Sequence, residues 1–119
     1  MTRWTQIGPR ERQILAILRT ADGPQTGRDL LEAVRDDGDD IAYATVNSAV
    51  ERLVEKGLVA REPSPEIGPR KFHYQFDAAP REFVPEIAHS VERVFGEEGL
   101  ETLAVAIERE SNSDPTNDE

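Results

Sequence analysis

Tyr43, Thr45, Asn47 and Ser48 stand together at the start of a segment whose apolar spacing predicts a helix. These side chains suit reading better than reacting. An asparagine amide can donate and accept at once and so pair bidentately with adenine, and Ser and Thr hydroxyls meet several base edges or phosphates. Further on, Arg70, Lys71 and His73 follow Gly68 and Pro69 at the edge of a loop. An arginine so placed can grip phosphate or enter a minor groove and sense its width. Arg28, near the start of an earlier helix, is a phosphate candidate helped by the helix dipole. Arg52 suits a phosphate or a carboxylate partner better than a base. Structural roles compete with each of these. Thr45 can cap its own helix, Tyr43 can pack on the preceding helix, and Arg70 can be a solvated charge that guards a strand edge. For Arg61 the two kinds of role are evenly matched.

Catalysis has no support. The chain carries no nucleophile–His–Asp set, phosphate-binding loop, dinucleotide fingerprint or HExxH run. Zero cysteines exclude disulfides, thiolate zinc sites and thiol redox switches. His89 lies three residues from both Glu86 and Glu92, a spacing that can bind a divalent metal. It arises readily by chance in an acidic helix, so no metal site and no cofactor are assigned.

The elements that must hold the reading residues follow from periodicity. Val46, Ala49, Val50, Leu53 and Val54 mark one buried helix face. Gly57 falls where a left-handed residue ends a helix. Residues 58–62 read as a short strand, and prolines and glycines punctuate the loop after it. Residues 71–76 alternate, with Phe72, Tyr74 and Phe76 on one face. Upstream, Pro9 starts a helix with Ile14, Leu15, Ile17 and Leu18 inward. Thr26 and Asp29 resemble a capping box before Leu30, Leu31 and Val34. Residues 36–40 link the second and third helices, and Ile41 is expected to form a single bridge to the hairpin. Three helices followed by a hairpin predict a mainly α (α+β) fold, a winged helix-turn-helix. Such a unit offers a helix to the major groove and a wing to the phosphates.

The run TVNSAVERLVEKGLVARE, then a Pro/Gly loop, then RKFHYQF resembles the PadR-type transcriptional regulators, over residues 9–77. The junction ERLVEKGLV is shared by many winged-helix families, and RKFHY is the more PadR-like part. The chain departs from that family at Ala42 and Asn47, where a polar cap and an aromatic residue are usual. It is also similar to small haloarchaeal PadR-like regulators that respond to oxidative stress. The resemblance implies a DNA-binding regulator that dimerises through C-terminal helices.

Net charge is −10, unevenly spread. Residues 1–75 carry eleven basic and twelve acidic side chains, whereas residues 76–119 carry three and twelve. The winged part is thus nearly neutral. Only Lys56 and Lys71 are lysines. Few lysines and much Asp and Glu resemble proteins of a potassium-rich cytoplasm, where acidic surfaces hold water and cations and salt screens self-repulsion. No apolar run approaches the length of a membrane helix, and the N-terminus lacks a signal-peptide core, so a cytoplasmic location is expected.

After the wing, Phe83, Val84, Ile87, Ala88, Val91, Val94 and Phe95 repeat at helical spacing. Gly96 and Gly99 interrupt them, and Leu100, Leu103, Ala104 and Ile107 continue, as two helices or one kinked helix. This apolar face exceeds what a winged domain needs. A dimer interface of Trp4, Val84, Ile87, Val91, Val94, Phe95, Leu100, Leu103 and Ile107 is therefore expected. Trp4 and Ile7 serve equally well as a cap on the monomer core. The expected division is a DNA-binding domain at 1–77, dimerisation helices at 78–110 and a disordered polar tail at 111–119.

These readings converge on a homodimeric transcriptional regulator. Its partner is double-stranded DNA at a pseudo-palindromic operator, with cations at the interface where Glu51, Glu55 and Glu66 approach the duplex. A winged helix used only for protein interaction is the alternative.

Overall fold

The computed structural model describes residues 6–112, so Trp4 and residues 113–119 lie outside the described residues. The chain forms two compact units, divided after Pro80. In the first, the order is α1 (Pro9–Thr20), β1 (Gln25–Thr26), α2 (Gly27–Asp36), α3 (Tyr43–Glu55), β2 (Val59–Pro63) and β3 (Phe72–Phe76). The second holds α4 (Pro80–Asn112).

Local chemistry explains the element ends. Pro9 occupies the first turn of α1, where its missing N–H costs nothing. Thr26 Oγ1 accepts from the Asp29 N–H, and Asp29 Oδ2 accepts from the Thr26 N–H, both at 3.0 Å. Aspartate thus completes the capping box expected for α2. At the end of α3, Leu58 N–H bonds Leu53 C=O and Gly57 N–H bonds Val54 C=O, both at 3.0 Å. With Gly57 at φ 81° this is a Schellman cap. It turns the chain from α3 directly into β2.

The core is where the periodicity puts it, except that Ile17 and Val54 are only half-buried. Ile14, Leu15 and Leu18 of α1, Leu30, Leu31 and Val34 of α2, and Val46, Ala49, Val50 and Leu53 of α3 are all buried. Ile7 is buried with them, as a cap on this core.

The sheet corrects one expectation. Its order is β1-β3-β2, antiparallel throughout, and the third strand comes from Gln25–Thr26 rather than from Ile41. Gln25 pairs with Tyr74 and Thr26 with His73. The extended backbone that an N-cap residue needs is already strand geometry, so the segment before α2 can cap a helix and pair with β3 at once. Ile41 instead accepts from Arg35 Nη2 at 3.2 Å.

An ion pair cluster ties α3 to α1. Glu11 is 6% exposed and accepts from Arg52 Nε and Lys56 Nζ, each at 2.8 Å. Burial pushes its pKa up, but the hydrogen bonds and charges of Lys56 and Arg52 outweigh burial and hold it below the ordinary value. A group with a lowered folded pKa stabilises the fold above its unfolded pKa and loses that contribution as pH falls through the folded one. Glu11→Gln is expected to cost about 1–3 kcal/mol near neutral pH, because it takes the charge from a buried acceptor of two charge-assisted hydrogen bonds. The difference from wild type should shrink as pH falls below the ordinary glutamate value of 4.5. Denaturant unfolding across a pH series reads this directly. A gap that stays constant down to acid pH would mean that the charge contributes nothing.

In the second unit, α4 breaks at Gly96, whose φ of 73° and ψ of −160° are not helical. Gly99 is needed too, since a Cβ there would lie 2.5 Å from Phe95 Cβ. The apolar stripe is therefore carried by two helical segments that meet at the sharp break at Gly96. Pro85 lies inside α4, past the first turn, because the helix already begins at Pro80. The helix also runs to Asn112, two residues into the expected polar tail.

Candidate nucleic-acid interface

Tyr43, Asn47 and Glu51 are spaced by one helical turn and so share a single stripe of α3. That stripe forms one wall of a cleft of about 390 Å³. The N-terminus of α2 supplies Thr26, Gly27 and Arg28, and the wing supplies Ile67, Arg70, Lys71 and Phe72. Of the reading residues expected from sequence, the fold therefore gathers Arg28, Tyr43, Asn47, Arg70 and Lys71.

The others lie outside the cleft lining. Thr45 and Ser48 are exposed on a second stripe of α3, roughly 100° or more around the helix from Asn47. Ala42, not Thr45, is the N-cap of α3, and no side chain caps it. Arg52 is engaged by Glu11 on α1. His73 alternates with Tyr74 along β3, so it points to the opposite face of the sheet.

Tyr43 has a packing role as well as an exposed edge. A Cβ on Gly27 would lie 2.7 Å from its hydroxyl, so only glycine lets the ring rest on the start of α2. Lys71 Nζ sits 5.6 Å from the centre of the same ring. That cation–π contact draws the base of the wing toward the start of α3.

The wing is an ordered loop. Ser64 N–H donates to Lys71 C=O at 2.9 Å and closes it, and Ile67 N–H donates back to Ser64 C=O at 3.0 Å. Ser64 is 1% exposed and its hydroxyl donates to Glu66 Oε2 at 2.8 Å. This bond holds the Glu66 carboxyl below its ordinary pKa. Ile67 is 46% exposed at the tip. Arg70 has φ 63°, the one non-glycine residue with positive φ among those described. Arginine is thus held in the left-handed region, where glycine would be less strained.

Sequence reasoning missed a polar contact beneath the cleft. Glu51 Oε2 accepts from Tyr74 Oη at 2.6 Å, and Glu51 Oε1 accepts from Arg61 Nη1 at 2.5 Å. Arg61 also lies 4.3 Å over the Phe72 ring. Burial and the bond to Glu51 push the Tyr74 phenol well above its usual pKa. Arg61 is thus committed within the fold. The only sequence signal was the spacing of Glu51, one turn from Asn47.

Among the described residues, no group of three or more His, Asp or Glu side chains is placed to hold a metal. No helix among them is long and apolar enough to cross a membrane.

A helix and a wing that share a cleft lined by Arg28, Arg70 and Lys71 define a winged-helix DNA-binding protein. The chain belongs to the penicillinase repressor family, whose model matches residues 7–117. The family is one of DNA-binding transcriptional repressors that typically act as dimers, not of enzymes. The PadR-type likeness holds at the level of the shared winged helix.

Solved structures agree on the fold. The chain is similar to a transcriptional regulator from Thermotoga maritima, at 19% identity and TM-score 0.52, over 97% of this chain and 81% of that one. It is similar to MarR at 18% identity and TM-score 0.51, over 90% and 78%. The ferric uptake regulator of Vibrio cholerae matches at 20% identity and TM-score 0.53, over 60% of this chain. Here the chain spans about half the length of its relative, 53%. Among curated proteins none matches the sequence.

Proposed function

We propose that the cleft between α3 and the wing is the surface that reads a pseudo-palindromic operator, with one α3 of the homodimer in each of two successive major grooves. One observation carries this reading. The fold brings Asn47, a base reader by chemistry, beside Arg28, Arg70 and Lys71. Asn47 then supplies base discrimination, with Thr45 and Ser48 on the neighbouring stripe. Arg28 meets phosphate at the start of α2, and Arg70 and Lys71 meet the backbone or the minor groove from the wing. Dimerisation through α4 sets the half-site spacing.

We also propose a cytoplasm rich in potassium as the working environment. The support is compositional, an excess of acid with two lysines. With no cysteine, any oxidant response would need a sensor other than a thiol, and Met1 is the sole methionine.

The expected salt dependence is shallow. Releasing cations from phosphate gives a slope near −0.9 per phosphate neutralised, and that gain fades in molar salt. Glu66 at the wing keeps its charge, so cations are expected between it and the phosphates. Glu66→Gln should raise affinity at low potassium and flatten in high potassium. Titrating one selected duplex across a potassium series tests both statements. A steep loss with salt that Glu66→Gln leaves unchanged would place the acid away from DNA.

A further inference from the structure

We propose that Glu51 is a positioning residue that locks the reading helix to the wing and so fixes the aim of Asn47 against Arg70. This rests on the cleft being the DNA-reading face. Apolar packing holds α3 in place through Val46, Ala49, Val50 and Leu53, but such contacts are non-directional. They resist pulling the helix away better than they resist small rolls about its axis. The hairpin has its own freedom, being two strands that extend beyond the short strand β1.

Glu51 spans both. Each of its carboxylate oxygens meets a different strand of the hairpin, Oε1 to Arg61 on β2 and Oε2 to Tyr74 on β3. Arg61 and Tyr74 are themselves cross-strand partners. Two bonds from one rigid carboxylate fork fix an orientation as well as a distance. Tyr74 is 3% exposed, so water does not readily replace its hydroxyl bond. From there the coupling runs outward. Arg61 stacks on Phe72, which adjoins Lys71 and Arg70 on the cleft wall. In the other direction, Asn47 lies one turn from Glu51 on the same stripe.

This arrangement also gives the acid a reason to sit in a cleft that meets phosphate. Its charge is matched by Arg61, so it does not act as a free anion facing the duplex. The charge-only view of Glu51 and the positioning role make opposite predictions.

The experiment uses the full chain and two duplexes. One is the best binder selected from random-sequence DNA by the wild type, and the other has the same bases in scrambled order. Tyr74→Phe deletes a single hydroxyl and leaves the Glu51 charge intact. It is expected to lower affinity for the selected duplex about tenfold, as for loss of a bond to a charged acceptor, and to leave the scrambled duplex unchanged. Glu51→Gln should do the same, and the double variant should be little worse than either, since both break one device. Circular dichroism and the thermal midpoint check that each variant is folded. Tighter binding of both duplexes by Glu51→Gln would overturn the proposal in favour of simple charge repulsion. An equal loss on both duplexes, or no change for Tyr74→Phe, would overturn it as well. Asn47→Ala and Arg70→Ala run as controls. If these weaken binding while Tyr74→Phe does not, the coupling alone fails. If neither weakens binding, the reading face lies elsewhere.

Discussion

Phe95→Asp and Leu103→Asp are each expected to give a monomer that keeps a folded winged domain and loses specific DNA binding. Val94, Phe95 and Ile107 are 72%, 68% and 57% exposed in the single chain. Half-buried Val91 and Leu103 line, with Phe95 and Gly99, a groove of about 500 Å³ along α4. So much exposed apolar surface on one element is the expected signature of an interface. Full burial of such a side chain contributes roughly 1.5–3 kcal/mol, and symmetry counts each substitution twice. A carboxylate at the centre of that face must be desolvated without a partner, so the loss exceeds the removed apolar area. A monomer occupies one half-site and forfeits the second. Light scattering reads the mass, circular dichroism the fold and a gel shift the binding. A dimeric variant, or a monomeric wild type, would move the interface off α4.

The second large effect separates reading from anchoring. Asn47→Ala should cost about 1–3 kcal/mol on the preferred duplex and relax one base position, because a bidentate pair is lost. Arg70→Ala should instead weaken binding across sequences and reduce the salt slope by about one. The backbone supplies a further handle. At φ 63° Arg70 occupies a region that costs a non-glycine residue roughly 1–2 kcal/mol, so Arg70→Gly should bind as poorly as Arg70→Ala yet unfold no more easily than wild type. If Arg70→Gly binds normally, the left-handed turn alone shapes the wing and the guanidinium is idle. Unchanged affinity and base preference in Asn47→Ala would remove it from the reading set.

Much of this was legible in the sequence because it is local. The capping box at Thr26, the left-handed Gly57, the buried stripe of α3 and the alternation of β3 each depend on residues within one or two turns. Patterning over that range sets element type, and the order of elements then leaves few folds. The break at Gly96 was visible for the same reason, although which of two geometries it took was not. What the sequence could not fix depends on residues far apart in the chain. Whether Gln25 or Ile41 would bridge to β3 was decided by how α2 packs, and Arg52 turned toward Glu11, 41 residues away. Charge type alone made Glu51 look like an acid facing DNA, yet its partners, Arg61 and Tyr74, are 10 and 23 residues distant. Hydrogen bonds are directional and short, so a polar side chain's role follows from which partners the tertiary fold brings within about 3 Å.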